Sequence, residues 1–339
     1  MSAGIAEQEH QALVTAYGRL QRIAESRSSA AAMKAWRLLS GVDLDGSWQE
    51  RVGPMLVRIL TAGQLLAASS GQTYVDQMVA ADGLAPDYAG GAGRVQVRTL
   101  AGTASDGRAL DTLLEEPLIG VKTLMAGGMT LTQAMLHGQN SLLRIMASEV
   151  ADAGRGAAGI AMAANRTVTG YVRCIRPGAC ARCAILAGRW YHYNADFDRH
   201  PRCQCYGVPS TKGRRGAITS PTAYFNGLSR TEQGRIFTLA GAQAIRDGAD
   251  IYAVVNARRK GSLYTFTDTT GLRRQATREG ATRRSLYQQR ARREQGLVDP
   301  RNPRSGPPAG PRLTPEAIYR MARSRSQVIE LLHRYAYLY

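Results

Sequence analysis

The sequence predicts a mainly α fold with a small α+β module near its middle, a helical N-terminal region and an Arg-rich helical C-terminal region. Three observations lead there. Apolar residues recur at helical spacing through most of the first 165 residues, a β-rich texture sets in near Thr167, and all five cysteines fall between Cys174 and Cys205. The expected regions are a helical domain over 1–165, the module over 166–210, a basic helical region over 211–297, a Pro-rich linker over 298–313 and a C-terminal helix over 314–339.

Leu13, Tyr17, Leu20 and Ile23 mark the first amphipathic stripe, and Trp48, Val52, Met55, Leu56, Ile59 and Leu60 the second. A Gly-rich break at Ala89–Arg94 reads as a connector, since no Gly-Lys-Ser/Thr follows to make it a phosphate loop. Leu110, Leu113, Leu114, Leu118 and Val121 open a third helical stretch. It pauses at Gly127–Gly128 and continues through Leu131, Met135, Leu142, Leu143 and Met146. These stripes are expected to be core or subunit contact. TVTGYVRC (Thr167–Cys174) and RWYHY (Arg189–Tyr193) are β-prone. Further on, Ser229 and Glu232 form a capping-box pattern opening a helix to about Asp247, with Gly248 as its C-cap and Asp250 capping a second helix. Thr314 and Pro315 start a terminal helix with Ile318, Met321, Ile329, Leu332 and Tyr335 on one face.

Composition narrows the classes. The 44% hydrophobic and 21% charged content argues against wholesale disorder. No apolar run reaches the roughly 20 residues needed to cross a bilayer, so no transmembrane helix is expected. The first residues lack the basic start and apolar stretch of a secretion signal, so the expected compartment is the cytosol of the cell that makes the chain. The formal charge of +18 points to a polyanionic partner. Residues 1–150 are close to neutral, whereas residues 211–339 carry 24 Lys/Arg against 9 Asp/Glu, and only Lys212 and Lys260 there are lysines. Arg273, Arg274, Arg278, Arg283, Arg284, Arg290, Arg292 and Arg293 form the densest tract. Few aromatic residues accompany it, which favours attraction to nucleic-acid phosphates over reading of sequence.

Clustered cysteines ask for shared chemistry, and in a reducing compartment that chemistry is metal binding rather than disulfides. CARC (Cys180–Cys183) follows the Pro177–Gly178 turn and offers two sulfurs from one knuckle. After a 16-residue spacer, HPRCQC supplies His200, Cys203 and Cys205, with Pro201 beside the histidine. Thiolate and imidazole are preferred zinc ligands, and a tetrahedral site needs two such turns. The preferred set is Cys180, Cys183, His200 and Cys205, with Cys203 a close competitor and Cys174 an extra residue off the pattern. Five candidates for four positions make a closed, structural zinc site. Metal binding there supplies folding free energy on the order of 10 kcal/mol.

Other chemistry is weakly represented. There is no His-Glu-x-x-His, no deaminase pattern, no Gly-x-Ser-x-Gly and no Walker motif. His137 reads as a polar helix position, with Asp106 or Asp111 as unsupported acid partners; His192 reads as solvent-facing, and His10 and His333 as exposed helix residues. No catalytic residue is assigned.

The run CARCAILAGRWYHYNADFDRHPRCQCYGVP resembles the Mu F-like minor head proteins of tailed phages: CxxC, a following glycine (Gly188), a spacer, HPxCxC and a downstream proline (Pro209). The downstream YFNGLSRTEQGRIFTLAGAQAIRDGADIYAVVNARR and the end LTPEAIYRMARSRSQVIELLHRYAYLY look like the branch common in phages of actinobacteria. The resemblance covers most of residues 105–339. It implies a virion protein present in few copies inside the head, made in the host cytoplasm, associated with portal and with major capsid or scaffold protein, and acting in head assembly, DNA packaging or ejection. Members of that branch are also labelled capsid maturation protease, which is the alternative it implies.

Overall fold

The computed structural model describes residues 3–88, 94–176, 178–197, 199–200, 203, 205–212, 220–298, 301 and 307–339. Most of the Gly-rich connector and part of the Pro-rich linker, together with Pro177 and Pro201, lie outside the described residues. The fold is mainly helical with two small sheets, and the chain divides into two compact units. One combines residues 1–176 and 188–218; the other combines 177–187 and 219–339.

The first unit is built on two 34-residue helices, α1 (Ala3–Trp36) and α6 (Leu131–Ala164). Between them in sequence lie the short α2 (Leu44–Ser47), a π-helical turn at Trp48–Val52, α3 (Gly53–Ala68), α4 (Gly71–Ala81), a 3-10 turn at Val97–Leu100 and α5 (Leu110–Ala126). The predicted stripes of α3 and α5 form the core: Val52, Leu56, Leu60, Leu114, Leu118 and Val121 pack with Leu142 and Met146 of α6. The break falls where expected, with Gly128 at φ 89° between α5 and α6.

In α1 the expected stripe is displaced. Leu20 is 49% exposed, while Val14, Tyr17, Gln21, Ala24 and Ser28 are buried. The reason is close packing on small residues: a Cβ at Gly154 would collide with the Gln21 side chain, and one at Gly63 with Ser28 Oγ. That register buries polar groups, which are satisfied locally. Tyr17 Oη donates to Gly154 O at 3.0 Å, and Gln21 Nε2 to Ala67 O at 2.9 Å. His10, expected on the surface, is buried and sits 2.8 Å from Asp82.

The continuous helical run Leu44–Ala81 is long and apolar enough, by length and composition, to cross a membrane. Leu56, Leu60, Gly63, Gln64 and Ala67 within it are nonetheless buried against the other helices of the unit, as in the core helix of a globular domain.

β1 (Val168–Cys174), β2 (Trp190–His192) and β3 (Tyr206–Thr211) complete this unit as an antiparallel sheet of order β2-β1-β3. Val172 of β1 faces Trp190 on one side and Val208 on the other.

The second unit contains α7 (Ala181–Ala184), α8 (Pro221–Asn226), α9 (Arg230–Phe237), α10 (Leu239–Arg246) and α11 (Ile251–Asn256). The hairpin of β4 (Leu263–Thr267) and β5 (Arg273–Thr277) follows, then α12 (Leu286–Glu294), β6 (Arg312–Leu313), α13 (Pro315–Met321) and α14 (Arg325–Arg334). Both ends of the Ser229–Glu232 capping box are made, and Asp250 caps α11 as expected.

The helix predicted to run on to Asp247 breaks at Thr238, whose φ is 67°. There the hydroxyl caps α10 by accepting from Gly241 N and also donates to Glu316 Oε1 at 2.8 Å. The terminal helix is likewise two helices, with Ser324 capping the second. The segments expected as separate basic region, linker and terminal helix share one core, since Ala244 and Val254 pack with Leu313, Ile318 and Leu332. Arg273 and Arg274 lie on a strand, so this region is α+β rather than helical throughout.

Candidate metal centre

The cysteine-bearing segment is anchored on β1. Arg173 N donates to Arg189 O and Gly188 N to Arg173 O, both at 2.9 Å, and close the base of an excursion. Gly188 adopts φ 77° there, a conformation that costs a residue with a Cβ. Gly178, at φ 81°, turns the chain into the CARC knuckle. Cys180 caps the single turn α7: its Sγ accepts from Cys183 N at 3.5 Å and its carbonyl from Ala184 N at 2.9 Å. Amide donation to sulfur favours thiolate, the form that binds metal. The knuckle is held from outside by Tyr224 Oη donating to Ala179 O at 2.9 Å and by Arg182 Nη1 donating to Asn256 Oδ1 at 2.9 Å.

The return half is organised differently. Cys203 N donates to His200 O at 2.9 Å ahead of β3. Cys203 and Cys205 are 2% and 1% exposed, whereas His200 is at the surface. Two arginines hold this half. Arg155 of α6 donates Nη1 to Cys203 O at 2.7 Å and to Cys205 O at 3.3 Å, with Nη2 on Asp152 at 2.7 Å. Arg173 of β1 donates Nη2 to Cys205 Sγ at 3.6 Å while its guanidinium lies 4.1 Å from the Phe197 ring centre. A guanidinium against sulfur stabilises negative charge on a thiolate.

The ligand atoms form two overlapping groups, Cys180–Cys183–His200 and Cys183–Cys203–Cys205, and within each they lie within 4.8 Å of one another. Cys183 belongs to both, and all five predicted ligands take part. The Cys/His clusters can hold a metal ion, and their donor set of thiolates and one imidazole is the one zinc prefers. Cys174 stands apart as expected: its Sγ contacts Ile175 O at 3.7 Å, and burial pushes its thiol above the usual range. None of the five cysteines, all of them described, forms a disulfide.

Arg155 and Arg173 are functional neighbours that the sequence reading missed. The signal was faint: a single arginine in the Ala/Gly-rich ADAGRGAAG, and one directly before Cys174.

The arginine tract divides into two sets. Arg273, Arg278, Arg283, Arg284 and Arg293 are exposed. Arg274 is paired with Asp268 at 2.6 Å, and Arg290 donates to His333 O at 2.8 Å and Leu338 O at 2.7 Å. Arg292 is 3% exposed with Nη2 on Leu297 O, which removes it from the residues able to meet a polyanion. These three serve their own unit: Arg274 closes the β4–β5 turn, Arg292 the end of α12, and Arg290 ties α12 to the carbonyls of His333 and Leu338. Among the histidines, His137, His192 and His333 are exposed.

A cavity of about 680 Å³ in the first unit is lined by Gln64, Ser105, Glu149, Asp152, Phe197 and Arg199 among others. Ser105 donates its amide to Glu149 at 2.7 Å and its hydroxyl at 2.9 Å, and burial pushes this carboxyl above the usual range. Gln64 bonds Thr103 O and Gly102 N, each at 2.9 Å. Together the two side chains fix residues 102–105 over the helical core.

Comparisons with protein-family models, with curated proteins and with solved structures find no match to this chain.

Proposed function

We propose that this is a non-enzymatic, zinc-clasped structural protein that works by holding partners together. Within that class we propose a minor head protein of a tailed phage, similar to the Mu F-like family. In this reading the helical N-terminal part docks onto portal and onto capsid or scaffold protein. The zinc site rigidifies the middle segment, and the arginine-rich C-terminal part meets packaged DNA inside the head.

The observation that carries the reading is the pair of Cys/His groups formed by CARC and HPRCQC, the same residues on which the family resemblance rests. Zinc would be held by four of Cys180, Cys183, His200, Cys203 and Cys205 and would supply a structural cross-link. The five exposed arginines of the tract support binding to phosphates, since each can neutralise one phosphate and release a counterion.

Two measurements test it. Elemental analysis of the untagged full chain should find one zinc per molecule, and cross-linking in purified virions should join the chain to the portal. Zinc-free protein, or a location away from the portal vertex, overturns the assignment. For the DNA interface, replacing Arg283, Arg284 and Arg293 by alanine should flatten the plot of log affinity against log salt by up to about 0.9 for each phosphate no longer neutralised. An unchanged slope removes those arginines from the interface.

A further inference from the structure

The arginine tract of the second unit is contiguous in sequence but not in space. Thr267 of β4 pairs with Arg273 and Leu263 with Thr277, so Arg273 stands at one end of the hairpin and Arg278 just beyond the other. At about 3.3 Å per residue those two ends are roughly 13 Å apart. The end that holds Arg278 also receives the chain leaving α11. Arg278 N donates to Ser262 O at 2.9 Å, its Nη1 to Gly261 O at 3.4 Å, and Ser262 N to Arg259 O at 2.9 Å. Arg258, Arg259 and Lys260 therefore lie beside Arg278, although they fall outside the tract. The turn that follows, closed by Ser285 N on Thr282 O at 2.8 Å, carries Arg283 and Arg284. Arg258 and Arg259 have carboxylate partners, Glu316 at 2.6 Å and Glu279 at 3.7 Å. Lys260, Arg278, Arg283 and Arg284 are exposed and, among the described residues, form no ion pair. Arg283 and Arg284 directly precede α12, whose N-terminus carries positive partial charge, so the fold gains nothing from cations there.

We propose that Arg259, Lys260, Arg278, Arg283 and Arg284 form one contact surface for the phosphate backbone of duplex DNA, with Glu279 among them restraining its affinity. The inference rests on the reading that the chain's polyanionic partner is DNA, and it adds to that site two cations from outside the tract. Glu279 is the one acidic residue in the segments 258–262 and 278–285, so the surface is strongly positive. Arginine forks fit phosphate oxygens. Arg278 already lies over the Tyr264 ring, 5.1 Å from its centre, so it loses little side-chain freedom when a phosphate docks. The same contact covers that ring, which takes it out of use as the aromatic anchor of a protein interface. Contacts of this kind neutralise phosphates and read no base sequence.

Two substitutions with opposite signs test the surface in the full chain, with a mixed-sequence DNA duplex as probe. Lys260→Ala should flatten the plot of log affinity against log salt by up to about 0.9, as loss of one phosphate contact requires. Glu279→Gln removes the one acidic group and releases Arg259, so it should tighten duplex binding several-fold at fixed salt. A folding defect weakens binding, so a gain of affinity cannot come from one. If the wild-type chain binds duplex but the Lys260→Ala slope or the Glu279→Gln affinity is unchanged, this surface is overturned and the DNA reading stands. No salt-dependent duplex binding by the wild-type chain overturns both. Polyglutamate of equal charge competing as strongly as duplex overturns the choice of DNA over an acidic protein.

Discussion

The helical core of the first unit and the cysteine-bearing segment 174–206 solve the same problem with different materials. In the core, Leu56, Leu60, Leu114, Leu118, Leu142 and Met146 are each at most 1% exposed, and apolar burial at roughly 25 cal/mol per Å² stabilises it. In the segment, the most buried side chains include three sulfurs, those of Cys183, Cys203 and Cys205, and the Arg176 guanidinium, beside Ile175, Ile185, Phe197 and Tyr206. Ordering a chain costs of order 1–2 kcal/mol per residue, so a metal ion held by these groups would contribute most where apolar burial is sparse. The contrast is between a region packed on apolar side chains and one whose Cys/His groups could hold a metal ion.

The largest expected effect tests that asymmetry directly. Cys183→Ala removes the residue common to both ligand groups, and metal content should fall from about one to below about 0.1 per chain. Since structural zinc supplies on the order of 10 kcal/mol, amides of residues 178–205 should lose hydrogen-exchange protection while those of α5 and α6 keep theirs. Equal deprotection of both regions would break the comparison.

Next come the buried charges. Arg176 and Glu25 pair at 3.2 Å with side chains 4% and 9% exposed, and burial pushes the Glu25 carboxyl above its usual range. Arg176→Ala removes the paired cation from a buried carboxylate and should cost about 3–5 kcal/mol in denaturant unfolding.

Leu114→Ala probes the apolar region alone. It should cost about 2–5 kcal/mol and leave zinc stoichiometry untouched. A fall in bound metal in this variant would mean that the two regions fold as one.

The smallest effect concerns the β4–β5 turn of the second unit. Asp268 accepts from the Thr270 hydroxyl and amide, from Leu272 N and from Arg274 Nε, and these bonds hold its carboxyl well below the usual carboxylate range. A depressed native pKa stabilises the fold above the unfolded value of about 4, and the contribution is lost as pH falls through the native one. Asp268→Asn should therefore speed exchange at the Leu272 amide at neutral pH, and the gap from wild type should close as the solution is acidified.

The sequence by itself determined what depends on near neighbours and residue chemistry. The stripes at Leu56–Leu60 and Leu110–Val121 specify helices because 3.6-residue periodicity is local, and Ser229 and Asp250 specify starts because a cap bonds two or three residues away. The five candidate ligands were legible because thiolate and imidazole declare their chemistry wherever they stand.

Only the tertiary structure decided what depends on distant partners. β3 was not anticipated, since its neighbour β1 begins some forty residues earlier. The buried face of α1 was set by Gly63 and Gly154, and the burial of His10 by Asp82. The withdrawal of Arg292 from the surface follows from its bond to Leu297 O, and the roles of Arg155 and Arg173 from where α6 and β1 place them beside Cys203 and Cys205. An arginine reads the same in sequence whether its guanidinium meets water or a buried carbonyl, because that choice is made by packing.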